Sequence, residues 1–587
     1  MACRGVHQYG RAASICCCGV ALRMALGLAG LQPTLEGALE LVVSSTSWER
    51  AQEGYFLGTL GQSHYAGGVF TGSPLMLAAA ALCSTVPSGV QAFAATTLFT
   101  VFDVASALLL RAICVRAVVV ESGDWETRLE EWMDDESKPP GVVAPDSPSS
   151  APASSTAGGD VSAAREQEDD EVPRENSADG ATRGNGGWYL PDIVLAAYLL
   201  NPVLAGQCAA LSGDVLGRVL PLAALVAAGA GRPGLTASAL AASACLWRFY
   251  AAPLLLPAAL MLKWEAATAA CDLDGRAAGR VLDAPSTSPD ASKVHKECGE
   301  GARRREGGNG ARRRGARTEG RGRANGSSSI TDDVDNVNDK QLRTGAKPSV
   351  VAVDETGTSS FDPRYFEFDT KAFVRLCVAF AAWCAVVLTA CWLGTSRSWD
   401  FLGAAAKGQL LCEDLTPNAG LYWYFFAELF PRFRGFFRVL FLSHPYIYVL
   451  PATLRLGMFP EALAILLLAI FGLFQPYPTL AEPMLAGCLF LCHPRTSARM
   501  RLVIPVGLVA LIPSLLLPTM RHVWLQAGTG NANFYYFQTV VLNVLLSVFV
   551  LQFAAALVKR RKAIVVAFVR RRKALGGIPG SGAVGTT

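Results

Sequence analysis

The stretch VQAFAATTLFTVFDVASALLLR, Val90 to Arg111, holds one charged residue, Asp103, in 21 residues before its closing arginine. A run of about 20 apolar residues matches the thickness of a bilayer's hydrocarbon core when helical, so it reads as a membrane span. An acid inside such a span is costly unless another group compensates it. Asp103 therefore needs a partner, and an arginine on another segment is the expected one, ahead of a ligand. Arg23 lies in the first apolar run, about Ala13 to Leu31, and is expected to pair or snorkel rather than to catalyse.

The same reading extends along the chain. Of 587 residues, 51% are hydrophobic and 17% charged, and mean hydropathy is +0.31. Further spans are expected at about Pro191–Ala210, Val215–Ala230, Ala372–Leu393, Gly435–Leu454, Leu502–Val523 and Thr539–Val558. Pro74–Val86 is too short to cross at 13 residues and reads as interfacial or re-entrant. Thr236–Leu262 carries Arg248 and Pro253 near its middle and reads as two short, broken segments. Glu461–Phe474 and Leu480–Leu491 form a pair broken by QPYPT. The expected fold is an all-α polytopic membrane protein of about twelve segments, several of them broken helices.

Two stretches have compositions that cannot bury a core. The expected organisation is an N-terminal membrane part with a first lumenal loop (1–133), a disordered linker (134–187), a middle membrane part (188–272), an Arg/Gly-rich linker (273–363), a C-terminal membrane part (364–558) and a basic tail (559–587). With the first run read as a signal anchor, parity puts both linkers, both termini, HPRTSARMR, KRRK and RRRK in the cytosol, as the positive-inside rule requires. Lys371, Arg375 and Arg455 on that rim fit lipid phosphates or ordinary positive-inside placement equally well. Asn325-Gly326-Ser327, the only glycosylation sequon, then lies in the cytosol. It should carry no glycan: endoglycosidase should leave the chain's mobility unchanged, and a shift abolished by Asn325→Gln would invert this topology.

Several function classes are disfavoured. GARRREGGNGARRRGARTEGRGR, within the second linker, has no interleaved aromatics, so nucleic acid is not an expected partner. Sixteen cysteines and six histidines form no Cys-x-x-Cys or helical His pair. Neither a metal nor a cofactor is expected. Cys412 and His64 are the lumenal thiol and imidazole, but on separate loops and without a protease signature. No catalytic residue is assigned.

One polar knot stands out between two apolar segments: GTGNANFYYF, Gly528 to Phe537. Glycines let the backbone approach closely. Asn531 and Asn533 offer amide donors and acceptors that suit sugar hydroxyls or a phosphate. Phe534, Tyr535, Tyr536 and Phe537 fit an interfacial anchor, and an ordinary turn fits the composition as well. LYWYFF, Leu421 to Phe426, reads as an aromatic belt or as a platform for a lipid glycan.

SWER followed by EG, YAGGVF followed by SPL, YLLNP, SWDF, DLTPNAGLYWYFFAELF, YPT and GNANF occur in that order. In this the chain resembles the class U subunit of the glycosylphosphatidylinositol (GPI) transamidase, over nearly all membrane segments and outside both linkers. Asp414–Phe430 is the most specific stretch. The resemblance implies a multi-pass protein of the endoplasmic reticulum membrane, similar in architecture to multi-span, lipid-dependent glycosyltransferases. It implies a complex in which the cysteine-protease-like chemistry belongs to another subunit. This chain would help bind or present the GPI lipid, or the substrate's C-terminal signal, with membrane lipids around it. It further implies that the Asn531/Asn533 turn holds GPI, with Asn418 and Trp423 as secondary candidates. The alternative is a glycosyltransferase with a dolichol-linked donor. Such enzymes place an acid in the first lumenal loop. This chain has no aspartate before Asp103 and offers Glu36, Glu40, Glu49 and Glu53 there.

Overall fold

A computed structural model describes residues 2–121, 183–184, 188–265, 351–353, 359–361, 369–411 and 413–576. Both linkers, apart from two minimal strand pairs, lie outside the described residues, as do Asn325, Cys412 and the last residues of the basic tail. The described membrane parts belong to one compact unit, and their regular structure is almost entirely helical.

Among the described residues, five helices are long and apolar enough to cross a bilayer, and six if one bent pair counts as a single span. The all-α, multi-span expectation is therefore borne out. The five span stretches are Gly10–Leu28, Ser88–Glu121, Thr370–Gly394, Val503–Gln526 and Ala532–Ala567. Most other expected segments are shorter apolar helices, Pro233–Leu246, Pro460–Phe474 and Ala481–Leu491 among them. Pro74–Ser84 is short, as expected, and packs its Met76, Leu77 and Ala80 inward.

The structure differs from the sequence reading in where helices stop. Val90–Leu110 is part of a longer helix, Ser88–Glu121, which runs through Arg111 and Arg116. The last helix, Ala532–Gly576, runs through KRRK. Basic residues mark where a helix meets water, and they do not end it, because lysine and arginine are good helix formers. Pro191–Ala210 is two helices, Leu190–Leu199 and Pro202–Ala209, bent by 49°. Asn201 causes the break: its side-chain oxygen accepts from the Val203 and Leu204 amides at 2.9 and 3.3 Å, and Pro202 starts the next helix. Thr236–Leu262 is broken as expected: Pro233–Leu246 ends at Trp247, and Phe249–Leu254 makes a tight turn. Gly435–Leu454 falls across two helices, Pro431–Ile447 and Val449–Leu456.

Ser88–Glu121 is the most buried of the five spans and packs against the first helix, Leu190–Leu199 and Gly213–Gly229. Its Leu110 and Ile113 share one apolar core with Leu195, Leu222 and Leu240 of other helices. Within this core Asp103 is fully buried and meets Arg23, Nε to Oδ2, at 2.5 Å. Tyr198 donates to the other carboxylate oxygen at 2.7 Å, and Arg218 approaches to 3.6 Å. The partner expected for Asp103 is thus an arginine on another segment, and Arg23 is the closest. Burying both charges together avoids the far larger cost of burying either alone.

Candidate functional site

The Gly528–Phe537 knot is a turn between two long helices. Val503–Arg521 widens into a π-type turn at His522–Gln526, and Ala532 begins the last helix. The Thr529 and Gly530 amides both donate to the Val523 carbonyl at 3.1 Å. Gly528 has φ of 66°, a left-handed conformation that suits glycine. At Gly530 a Cβ would fall 2.8 Å from Val523 Cγ1. The close approach that glycine permits at this position is to the chain's own turn.

The two asparagines remain exposed. Asn531 accepts from the Asn533 amide at 3.0 Å and so caps the last helix. Asn533 Oδ1 accepts from the Tyr424 hydroxyl, which links the turn to LYWYFF. That hydrogen bond leaves the Asn533 amide N–H groups, and Asn531's as well, without an acceptor among the described residues.

The two secondary candidates are placed differently. Trp423 is 4% exposed, packed against Trp524, Tyr535 and Tyr536, with its indole N–H buried and unpartnered. Asn418 is 1% exposed and spends its amide on its own loop: Oδ1 accepts from Gly420 N at 2.7 Å, and Nδ2 donates to the Thr416 carbonyl at 3.3 Å. Asn543, on the last helix, donates to the neighbouring Ala419 carbonyl at 2.9 Å. The fold therefore brings Asn531, Asn533 and Trp423 to one place, with Asn418 in the loop beneath. Tyr424 and Asn543, which fasten that place, were not singled out from sequence. Both act across more than 100 residues of chain, 109 for Tyr424–Asn533 and 124 for Asn543–Ala419.

The aromatic run is mostly spent on packing. Tyr424 stacks on Tyr536 at 4.5 Å between centroids, and Tyr422 on Phe441 at 5.5 Å. Asp414 opens the loop. Its burial raises its pKa, but hydrogen bonds from Ser44 and Thr416, with Arg50 nearby, outweigh this and hold it below the ordinary carboxylate range.

The first-loop acids are also accounted for. Glu36 accepts from the Ser47 hydroxyl and the Glu49 amide, both at 2.8 Å, at the start of the Trp48–Thr59 helix. Glu40 is 3% exposed and pairs with Arg521 at 3.2 Å. Glu49 and Glu53 are exposed on that helix. His64 Nδ1 donates to the Gly54 carbonyl at 3.0 Å. Among the described residues no group of three or more His, Cys, Asp or Glu is arranged to hold a metal ion.

A family model described as "GPI transamidase subunit PIG-U" matches residues 17–542. The chain belongs to the PIG-U family. Among relatives, it is 35% identical over 147 residues to the GPI-anchor transamidase component PIGU of Homo sapiens, and the match covers 25% of this chain and 34% of that protein. It is 35% identical over 161 residues to the GPI transamidase component GAB1 homolog of Schizosaccharomyces pombe, covering 27% and 40%. A third match, to the GPI transamidase component GAB1 of Saccharomyces cerevisiae, is 35% identical over 144 residues and covers 24% and 36%. The aligned stretches thus span between a third and two fifths of each PIG-U relative's own length.

Proposed function

We propose that this chain is a non-catalytic, multi-pass subunit of a GPI transamidase in the endoplasmic reticulum membrane, and that it helps hold the GPI lipid. The observation that carries the reading is the family match across residues 17–542. The named relatives are transamidase components, and a component serves in a complex, so other subunits, including a cysteine-protease-like catalytic one, are the partners proposed.

The site proposed for GPI is the exposed Asn531/Asn533 turn, on the lumenal side in the topology derived from charge. Its free amide N–H groups suit sugar hydroxyls and phosphate oxygens without adding charge. Trp423 and the tyrosines beneath support the turn, and Asn418 shapes the loop under it. Recognition of a substrate protein's C-terminal signal by the same face is compatible with this assignment.

The glycosyltransferase reading finds less support. Of its four first-loop acids, Glu36 caps a helix and Glu40 is buried against Arg521. Affinity purification of the tagged full chain tests the choice. The purified material should contain a cysteine-protease-like subunit and attach GPI to a substrate peptide, and should transfer no sugar from a dolichol-linked donor. Sugar transfer without transamidase partners would overturn the proposal.

A further inference from the structure

The structure holds an apolar-walled cleft that the turn does not use. Its walls are apolar, with Leu468, Leu485, Leu489, Leu546 and Phe549 among them. Its polar groups include Asp214, Arg218, Thr479, Glu482 and Asn543, together with Trp247 and Tyr250. The two acids are each the second residue of a helix, Gly213–Gly229 and Ala481–Leu491. An acid in a first turn is ordinarily explained by capping and the helix dipole. One oxygen of each fits that explanation. Asp214 Oδ1 accepts from Trp247 Nε1 at 3.0 Å and Arg248 Nη2 at 2.9 Å. Glu482 Oε2 accepts from the Thr479 amide at 2.7 Å and its hydroxyl at 2.6 Å.

The second oxygens are not so explained. Asp214 is 1% exposed, and its Oδ2 is buried with no hydrogen-bond partner among the described residues. Glu482 is half-buried, so its Oε1, which accepts no hydrogen bond among the described residues, is not cut off from solvent as Asp214 Oδ2 is. A buried carboxylate oxygen without a donor is costly, and native proteins rarely leave one so. Arg218 does not serve them: its Nη1 donates to Tyr198 at 3.0 Å and its Nη2 to Gln207. The cleft thus joins an apolar wall to two carboxylate oxygens that accept no hydrogen bond among the described residues.

We infer that this cleft binds a membrane lipid whose headgroup carries a primary ammonium, its N–H groups on Asp214 Oδ2 and Glu482 Oε1 and its acyl chain along the leucine walls. An ammonium supplies three donors, where a hydroxyl supplies one and a quaternary amine none, and it adds positive charge beside Glu482, Asp214 being already paired with Arg248 at 2.9 Å. This site shares no residue with the Asn531/Asn533 turn and stands whether or not that turn holds GPI.

The test uses the full chain purified with its natural partners, delipidated in detergent and titrated with lipids of matched acyl chains under native mass spectrometry. Phosphatidylethanolamine should bind at least about tenfold more tightly than phosphatidylcholine or phosphatidylglycerol, the scale of one charge-assisted hydrogen bond. Glu482→Gln should abolish that preference, and so should Asp214→Asn, which retains an oxygen for Trp247 and Arg248. Ala486→Trp, on the wall, should exclude all three lipids. Equal affinity for the three lipids in the wild-type protein would overturn the inference, and this arm needs no variant. A preference for phosphatidylethanolamine that survives Glu482→Gln, or lipid uptake unchanged in Ala486→Trp, would overturn it as well.

Discussion

Asp103→Ala should destabilise the protein by about 3–5 kcal/mol, the cost of leaving a buried charge without its partner. Arg23 is fully buried, and its other hydrogen bonds among the described residues, to the Gly19 and Leu199 carbonyls, supply no negative charge. The loss extends further because Asp103 also takes the Tyr198 hydroxyl, which in turn accepts from Arg218. Arg218 holds Gln207, and Gln207 donates to Thr479 at 3.1 Å. One carboxylate therefore orders side chains from five segments that meet at the core. The measurement is the thermal midpoint of the detergent-solubilised protein by fluorescence-detected gel filtration. Arg23→Leu with Asp103→Leu should recover much of the loss, since an apolar pair removes both buried charges together. Equal stability of Asp103→Ala and the parent would show that Asp103 is not held as described.

Glu121→Ala is the second large effect. Glu121 ends the central helix and is 2% exposed. It accepts from the Arg495 amide at 2.9 Å, from His493 Nδ1 at 3.2 Å and from Arg560 Nη1. Those donors sit near the start of Pro494–Ser497 and on the last helix. Removing the acceptor should again cost about 3–5 kcal/mol, because the group lost is a buried, charge-assisted acceptor. Hydrogen exchange should rise in residues 493–497 and around Arg560, and Glu121→Gln, which keeps an acceptor but loses the charge, should fall between. Unchanged exchange in Glu121→Ala would remove the clamp.

The sequence carried the fold class because apolar windows need no knowledge of contacts. It carried the break near Arg248 and Pro253 for the same reason, since proline acts locally. The bend at Asn201 is legible too, as an asparagine cap followed by proline, although it lies within one apolar window. Helix ends at KRRK were misplaced because charge reports the water boundary and not the end of the hydrogen-bond ladder. Arg23, Tyr198 and Arg218 as the surroundings of Asp103 were beyond reach: they lie 80, 95 and 115 residues away, and no local pattern encodes which arginine arrives. At the turn, the residue types in GTGNANFYYF were readable. What each does was not, because Gly530 answers to Val523 and Asn533 to Tyr424.

GPI attachment at limiting GPI, in a fully assembled complex carrying Asn531→Ala and Asn533→Ala, tests the central claim most directly. Each lost hydrogen bond should weaken GPI binding by about 0.5–1.5 kcal/mol, roughly 2- to 10-fold. Two controls separate recognition from structure. Asn531→Asp keeps the acceptor that caps the last helix while removing the amide donors, and should also lower attachment. Tyr424→Phe removes the hydroxyl on Asn533 while leaving its amide in place, and should be milder than the double variant. The account predicts reduced attachment that excess GPI restores. Normal attachment at limiting GPI in the assembled double variant would contradict it and leave the motif as a turn.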